Sequence, residues 1–439
     1  MVAIARHAEP VADAVPLIDL DAFPRADPGA VARPRLSPPR SLLVLGALIA
    51  VLLTAAAAAP PPPAMRPVLA AGGTSAAAFT LDANALYTAS FGANPNSESG
   101  IRRYALPGGE QLWATSLPQN VQNLTLGGGV LLARSGAAPR MTFLDAVDGR
   151  VLWHLADPNT TVVTLSGGGA LLRVDTEDGG TQLRLASART GATIWSRVVP
   201  GVVDILNDDV YSADADRIVA LAVDGHVTTL RFADGAVLGE GDLGVRIPEW
   251  DGSFQAHFVG VTVSGEQLYV SRGEQGQASL TAYGLPELTR RWRTTGGPTG
   301  YVRDCGPVLC ISDTRSVSGL DPSDGSVRWS DPTWSDATDR GDGLLLAYDQ
   351  QEDPEAAMLD AGSGAVRRRL GRTFVVGGLE LREDGRIAGR TWVAVADSGG
   401  GSVHVVGSMQ TTAPYGCTVS GPYLACPTTA GPTTVWRIP

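Results

Sequence analysis

The chain has 439 residues, which is enough for two or three ordinary domains or for one large repeat domain. Hydrophobic residues make up 44% of it and charged residues 18%, a balance that is typical of a folded chain and excludes a largely disordered one. The net charge of −11 argues against nucleic acid as a partner, because a phosphate-binding surface needs a basic stripe.

A run of 19 residues without a charge, residues 41–59, predicts a transmembrane helix. About 20 apolar residues are needed to span the hydrocarbon core of a bilayer. The alternative is a cleaved signal peptide, since the alanines at 55–59 resemble a small-residue cleavage site. A signal peptide carries its basic region close to its first residue, whereas 40 residues precede this segment, and we therefore favour an uncleaved anchor.

The arginines around this segment predict its orientation. Those that precede it closely are Arg25, Arg33, Arg35 and Arg40. Only Arg66 follows it within a comparable distance. The positive-inside rule then places the N-terminus in the cytoplasm and the rest of the chain outside it. The expected localisation is the cell membrane, with a single pass and an extracytoplasmic domain.

The composition divides the rest of the chain. Residues 1–40 are rich in Pro, Ala and Asp and lack periodicity, which predicts a disordered cytoplasmic tail. Residues 60–73 form a Pro-rich linker, which we expect to hold the next domain away from the bilayer. The folded domain is predicted to occupy residues 74–439.

This domain repeats a unit in which a glycine turn is followed by a tryptophan. The clearest copies run from Leu144 to Trp153, from Leu185 to Trp195 and from Leu320 to Trp329, and weaker copies end at Trp113 and Trp292. In three degraded copies the tryptophan position falls on Gly239, Arg368 and Val405. These eight positions lie 37 to 53 residues apart, and four short strands with their turns need about 40–45 residues.

We therefore predict an all-β fold, a β-propeller of eight four-stranded blades, with a range of seven to nine. Radial stacking buries both faces of each blade and leaves only short edges. We expect residues 415–439 to pair with strands near the start of the domain and so close the ring. The predicted role of the tryptophans is packing between blades, not ligand binding. They are Trp113, Trp153, Trp195, Trp292 and Trp329.

The L-D-x-x-x-G-x-x-x-W unit resembles the repeat of pyrroloquinoline-quinone-type propellers. That family includes quinone-dependent alcohol dehydrogenases and the propeller lipoprotein of the outer-membrane assembly machinery. The resemblance covers nearly all of residues 74–439 and implies the propeller fold. Kelch-type repeats rank second, on the glycines at 127–129 and 167–169. WD-type repeats fit less well, because the dipeptide Trp250-Asp251 does not recur.

The resemblance implies no enzymatic centre. Quinone dehydrogenases of this family carry adjacent cysteines and an acidic calcium site, and no residue of this chain matches them. The histidines that follow the predicted helix stand singly in different repeats, without a metal-binding motif. They are His154, His226, His257 and His404. We predict no catalytic residue, no metal site and no cofactor.

An even number of cysteines in an oxidising compartment favours disulfides. The chain has four, which allow three pairings: Cys305, Cys310, Cys417 and Cys426. If Gly421-Pro422 is a two-residue hairpin loop, Cys417 lies directly opposite Cys426. Direct opposition of Cys305 and Cys310 needs a loop centred on Pro307-Val308. We predict the pairs Cys305–Cys310 and Cys417–Cys426.

The leading functional hypothesis is a non-catalytic, membrane-tethered scaffold or sensor, whose faces bind a protein or another ligand of the cell envelope. It rests on the predicted fold, the anchor and the lack of a recognisable catalytic constellation. The alternative is a quinone- or sugar-dependent oxidoreductase with a divergent site. A third hypothesis is an assembly factor for envelope proteins.

Overall fold

The computed structural model describes residues 64–71, 76–90, 99–135, 140–177, 180–206, 216–247, 257–274, 277–298, 300–313, 316–349, 355–396, 403–411, 416–428 and 431–439. The chain divides into two compact units, residues 1–61 and 62–439, and all of the described residues belong to the second. The predicted tail and the predicted membrane helix lie outside the described residues. Within the described ranges no helix has the length and apolar character to cross a membrane.

The described residues form nine four-stranded antiparallel sheets, which are the blades of a β-propeller. The first strand of the chain is β1 (Arg66–Ala71). Blade 1 contains β2 (Ala76–Leu81), β3 (Ala85–Ser90), β4 (Ser99–Ala105) and β5 (Gln111–Leu117). Blade 2 contains β6 (Val121–Gly127), β7 (Val130–Ser135), β8 (Met141–Asp145) and β9 (Val151–Leu155). Blade 3 contains β10 (Thr160–Ser166), β11 (Gly169–Asp175), β12 (Thr181–Ser187) and β13 (Thr193–Val199).

The next three blades follow the same order, from the inner first strand to the outer fourth strand. Blade 4 contains β14 (Val202–Leu206), β15 (Arg217–Ala222), β16 (His226–Arg231) and β17 (Val237–Asp242). Blade 5 contains β18 (His257–Ser264), β19 (Gln267–Glu274), β20 (Gln277–Gly284) and β21 (Thr289–Thr295). Blade 6 contains β22 (Tyr301–Asp304), β23 (Leu309–Ser312), β24 (Val317–Leu320) and β25 (Val327–Asp331).

Three blades complete the ring. Blade 7 contains β26 (Asp336–Gly341), β27 (Leu344–Tyr348), β28 (Ala356–Asp360) and β29 (Val366–Gly371). Blade 8 contains β30 (Thr373–Val376), β31 (Leu379–Glu383), β32 (Arg390–Ala396) and β33 (Val403–Gln410). Blade 9 contains β34 (Thr418–Ser420), β35 (Tyr423–Pro427) and β36 (Thr433–Arg437), and its outer strand is β1.

Burial explains the composition of the strands. The second and third strands are short apolar runs, such as β7 (VLLARS) and β8 (MTFLD), because neighbouring blades cover both of their faces. The fourth strands, such as β13 (TIWSRVV) and β21 (TRRWRTT), are mostly exposed and carry more polar side chains.

One hydrophobic cluster fills each gap between successive blades. Phe143 of blade 2 packs with Leu172 of blade 3, for example, and Leu381 of blade 8 packs with Leu424 of blade 9. Seven further clusters join the other pairs, and one of them connects blade 9 to blade 1. Nine blades with nine shared clusters form a closed ring in which apolar surface is buried at every junction.

The ring closes through the two ends of the domain. β1 pairs with β36, with Arg66 opposite Arg437 and Ala71 opposite Thr433. The prediction that residues 415–439 pair near the start of the domain is confirmed. The predicted number of eight blades is wrong. The outer strand of blade 9 comes from the other end of the domain, so no turn and tryptophan follow β36. Residues 66–71, which were assigned to the linker, belong to the propeller.

Each of the five predicted tryptophans packs on a glycine turn of the following blade. The Trp113 ring lies against Gly149, where an added Cβ would come within 2.5 Å of the indole. Four more pairs repeat this contact: Trp153 with Gly191, Trp195 with Gly235, Trp292 with Gly325 and Trp329 with Gly364. In all five, the indole N–H donates to the carbonyl three residues before the glycine, at 2.8–3.2 Å. One side chain therefore joins two blades by packing and by a hydrogen bond.

At three of the remaining junctions between blades, another group takes the place of the indole. The backbone of Pro286 fills the space beside Gly239, and Arg368 forms an ion pair with Glu380. In blade 8 the ladder skips one residue between Ala394–Val405 and Val393–Gly407. The tryptophan position is therefore Gly407 and not the predicted Val405.

Both predicted cysteine pairs lie at disulfide distance, with sulfur separations of 2.02 Å for Cys305–Cys310 and 2.09 Å for Cys417–Cys426. Cys417 extends the β34–β35 ladder and lies opposite Cys426, because Ser420 pairs with Tyr423 as expected. The loop centred on Pro307-Val308, which direct opposition of Cys305 and Cys310 needs, does not form, because Asp304 pairs with Leu309. Cys310 pairs with Arg303, and Cys305 donates its N–H to the carbonyl of Val308, so this disulfide runs diagonally.

The contact between tryptophan and glycine predicts unequal effects for two alanine substitutions. Gly364 and Gly371 both have a positive φ, of 68° and 65°, so alanine costs about 1–2 kcal/mol in either place. Only at Gly364 would the new Cβ meet a ring, that of Trp329, at 2.6 Å. We expect Gly364→Ala to lower the free energy of unfolding by about 3–5 kcal/mol, as for a lost core aromatic. Urea unfolding of the two variants tests this, and equal losses would contradict it.

Candidate functional site

The most displaced carboxyl pKa values belong to aspartates of the glycine turns. Hydrogen bonds from the side chain of Ser323, the guanidinium of Arg328 and the backbone of Ser323 lower the pKa of Asp321 to about 2. Arg367 and Ser363 lower the pKa of Asp360 to about 2 in the same way. Both carboxylates stay ionised near neutral pH, so they hold the turns and are unsuited to proton transfer there.

The pKa values of two buried tyrosines are displaced in the opposite direction, upward. Burial, together with the Asp82 carboxylate, raises the pKa of Tyr87 to about 12. Burial also raises the pKa of Tyr269 to about 12, with a smaller contribution from Asp304. The Tyr87 ring lies near Trp113 and the Tyr269 ring lies near Trp292, with 6.1 Å between the ring centroids in each pair. They remain neutral and contribute to the packing between strands.

The three histidines whose side chains are described lie in three different blades. His154 lies on β9, where its Nδ1 is 3.0 Å from the hydroxyl oxygen of Thr142, while His226 lies on β16 and His404 on β33. In the described part of the chain, no three His, Cys, Asp or Glu side chains form a group that could hold a metal ion.

A cavity of about 730 Å³ opens over blade 4, on the face that carries the turns between first and second strands. We call it the blade-4 groove. Its apolar walls are formed by Leu185, Ile194, Phe232 and Leu238. Its polar lining includes Ser166, Asp216, Arg217, Arg231 and Glu266. The groove therefore combines apolar walls with cationic and anionic groups, a composition that suits a peptide segment better than a purely apolar ligand.

The two arginines of the groove are held by neighbouring groups. Arg217 Nη1 is 2.9 Å from Glu266 Oε2, and its Nη2 donates to the carbonyl of Gly265, which links blade 4 to blade 5. Arg231 pairs with Asp234 at 2.9 Å. The Arg217 side chain is largely buried and the Glu266 side chain is exposed, so the ion pair has one end in solvent. An acidic partner group could exchange with Glu266 at low energetic cost.

The groove coincides with an insertion in the repeat. Two residues join β6 to β7, β10 to β11 and β18 to β19, whereas residues 207–216 join β14 to β15. Long connections on a rigid scaffold often carry binding residues. The sequence interpretation missed Arg217, Arg231 and Glu266, since each stands alone in its repeat. The length of the connection in blade 4 is the sequence signal that could have pointed to this region.

A smaller cavity of about 290 Å³ lies at the inner strands of blades 1, 2 and 9. Its lining includes Phe79, Gln122, Asn123 and Thr418. Gln122, Asn123 and Thr418 offer hydrogen-bonding groups without a charge, and Phe79 adds an apolar ring.

Among the ion pairs of the described residues, the most buried one lies between blades 7 and 8. Arg368 Nη1 is 3.1 Å from Glu380 Oε2, and a second bond joins Nη2 to Oε1. The exposed fractions of the two side chains are 21% and 11%. This bidentate pair occupies the place that an indole takes at other junctions and therefore carries part of the contact between these blades.

Comparison with known proteins identifies the repeat. A family model described as outer membrane protein assembly factor BamB matches residues 97–331, which is more than half of the chain. The chain belongs to the BamB family of PQQ-like propellers. The resemblance inferred from the L-D-x-x-x-G-x-x-x-W unit is thereby confirmed. No curated protein matches this chain significantly.

Similar solved structures accompany this family assignment. BamB from Moraxella catarrhalis is 15% identical, with a TM-score of 0.47, and the match covers 85% of this chain and 100% of that one. The computationally designed Ika8 protein is 12% identical, with a TM-score of 0.45 and coverage of 85% and 100%. Sqt1 from Saccharomyces cerevisiae is 10% identical, with a TM-score of 0.47 and coverage of 86% and 100%.

The ion pair predicts different stabilities for two arginine variants of this BamB-family propeller. Arg368→Ala leaves Glu380 as a nearly buried, unpaired charge, so we expect a loss of about 2–4 kcal/mol in the free energy of unfolding. Arg369 is the matched control, because it lies on the same strand and forms an exposed pair with Glu355. Arg369→Ala should cost less than about 1 kcal/mol. Denaturant unfolding of both variants measures the difference, and similar losses would refute the structural role of Arg368.

Proposed function

We propose that this protein is a non-catalytic scaffold of the cell envelope, a membrane-tethered propeller that binds another envelope protein. The observation that carries the proposal is the family match over residues 97–331, to a family described as an assembly factor for outer membrane proteins. The displaced pKa values of Asp321, Asp360, Tyr87 and Tyr269 support it, since these groups serve the blades themselves. The specific process that we favour is help in assembling envelope proteins.

The proposed tether is residues 41–59, whose 19 uncharged residues are long enough to span a bilayer. The arginine bias around them supports an orientation with residues 1–40 in the cytoplasm and the propeller outside. Four cysteines, all in the propeller and all in pairs, are consistent with an oxidising compartment.

The proposed docking site for the protein partner is the blade-4 groove. Exposed Ile194 and partly exposed Leu238 provide apolar contacts at its outer end. Arg217 and Glu266 provide charges of both signs further along it. Ile194 also lies on β13, the outer strand of its sheet. The outer edge of β13 pairs with no other described strand, so it can accept a partner strand by main-chain hydrogen bonds. A peptide segment could therefore combine edge pairing with side chains placed in the groove.

A matched pair of substitutions tests this docking site. Ile194→Glu places a charge in the groove, whereas Val327→Glu places one on an exposed residue of blade 6 outside it. In cells producing the tagged full-length protein, chemical cross-linking should capture a defined envelope protein. We expect Ile194→Glu to reduce its yield at least about tenfold, since an unpaired charge in an interface costs more than 1.4 kcal/mol. Val327→Glu should leave the yield unchanged, and equal yields for the two variants would reject the groove.

The proposed topology has a direct test. A reporter that is active only in the cytoplasm should be silent when fused after Pro439, because the propeller is placed outside. The same reporter fused ahead of Met1 should be active, which controls for expression. Activity of the fusion after Pro439 would reverse the proposed orientation.

A further inference from the structure

The outer strand of blade 5, β21 (TRRWRTT), carries three exposed arginines and no acidic residue. The whole chain has a net charge of −11, so this strand is opposite in sign to the rest of the protein. In the part of the chain that the structure describes, none of Arg290, Arg291 and Arg293 forms an ion pair. Neither Glu287 of the preceding turn nor Asp242 of blade 4 is paired with them. The positive charge of β21 is therefore uncompensated within the described residues.

Another outer strand of the same propeller, β29 (VRRRLG), is equally rich in arginine but is neutralised. Three like charges on one short strand repel one another, and nearby carboxylates offset this repulsion in β29. Strand β21 keeps the repulsion, and departures of this kind from a local rule are expected at functional sites. The neutralising pairs of β29 are Arg367 with Asp360, Arg368 with Glu380 and Arg369 with Glu355.

The strand register places arginines on both faces of blade 5. Arg290 lies opposite Tyr283, whose hydroxyl donates to the carbonyl of Leu243 at 3.2 Å, on the side of blade 4. Burial raises the pKa of Tyr283, while Arg290 and Arg293 act against this rise, so both guanidinium groups lie near its hydroxyl.

Arg291 belongs to the other face of the blade. Its guanidinium lies where a Cβ on Gly284 would point, with Nε only 2.6 Å from that position. Gly284 is two residues from Ala282, which lies opposite Trp292, and side chains two apart on a strand share a face. Because Trp292 packs against blade 6, Arg291 lies on the side of blade 6.

The outer edge of β21 pairs with no other described strand. A strand added to this edge would point its side chains alternately to the two faces of blade 5, and each face presents an arginine. We propose that β21 binds an acidic, extended segment of a partner protein, which joins blade 5 as a fifth strand. Main-chain hydrogen bonds supply affinity, and carboxylates of the segment pair with Arg290, Arg291 and Arg293. This surface needs neither the proposed tether nor the blade-4 groove.

The position of the charges favours a peptide over other anions. A single charge discourages an edge strand from pairing with neutral or like-charged strands, and the three arginines of β21 exceed that purpose. A nucleic acid or a lipid headgroup could pair with guanidinium groups, but neither offers the row of N–H and C=O groups that a strand edge binds. The acidic remainder of the protein repels an acidic segment, which restricts such a segment to this strand.

The test measures how two fluorescein-labelled peptides bind to the full-length chain in a non-ionic detergent, by fluorescence anisotropy. One peptide alternates glutamate and threonine over about seven residues, the length of β21. The other has the same side chains and a methyl group on every backbone nitrogen, so it donates no main-chain hydrogen bond. We expect the methylated peptide to bind at least about tenfold more weakly, because it cannot join the sheet.

A matched pair of double variants tests the arginines. Arg290→Gln with Arg293→Gln should raise the dissociation constant of the unmethylated peptide at least about tenfold, because two charge-assisted contacts are lost. Arg367→Gln with Arg369→Gln removes two exposed arginines from β29 and should leave that constant within about twofold. Near-ultraviolet circular dichroism checks that both variants are folded, and the comparison of the two peptides needs no variant.

Four results would contradict the proposal. The first is that the unsubstituted protein does not bind the unmethylated peptide. Equal affinity for the two peptides would reveal attraction by charge alone and reject the added strand. Equal losses in the two double variants would reject the role of β21. An oligonucleotide of equal charge that binds more tightly than the peptide, and loses affinity with Arg290→Gln and Arg293→Gln, would identify a nucleic-acid site instead.

Discussion

The contact between an indole ring and a glycine turn of the next blade sets the spacing of this propeller. An added Cβ at Gly149, Gly191, Gly235, Gly325 or Gly364 would lie within 3 Å of the ring. The glycine is therefore required both for the positive φ of the turn and for the approach of the ring. Blades 2, 3 and 6 carry both halves of the contact, a glycine for the preceding blade and a tryptophan for the following one. Such a head-to-tail unit can be added until the ring closes.

Much of the fold could be predicted from this unit, and the errors arose where a neighbour comes from elsewhere in the chain. The spacing of the turns predicted the blades, and the Gly421-Pro422 loop predicted the opposition of Cys417 and Cys426. The number of blades was one too low because β1 supplies the outer strand of blade 9. Counting residues from the turn also placed Val405 at the tryptophan position. The β32–β33 ladder extends further toward its turn, to Ala396 and Val403, so the position after the bulge falls on Gly407.

The candidate groove was less accessible to sequence reasoning, for a physical reason. Arg217 and Glu266 are 49 residues apart and lie in different blades, and nothing in either repeat marks them as partners. Only the radial stacking of blades 4 and 5 brings the guanidinium and the carboxylate together. What the sequence does contain is the longer connection between β14 and β15. Such an insertion can indicate where a site lies without indicating which side chains form it.

At two of the junctions that lack the indole, another part of the chain takes its place. Gly239 leaves the junction of blades 4 and 5 to the backbone of Pro286 and to the pair of Arg217 and Glu266, beside the groove. Gly407 leaves room for Met65, whose side chain packs there and whose N–H donates to the carbonyl of Val406. A tryptophan at 407 could not coexist with Met65 against the same backbone. The entering chain has therefore replaced the docking contact at this junction, where the pattern of the repeat had to be abandoned.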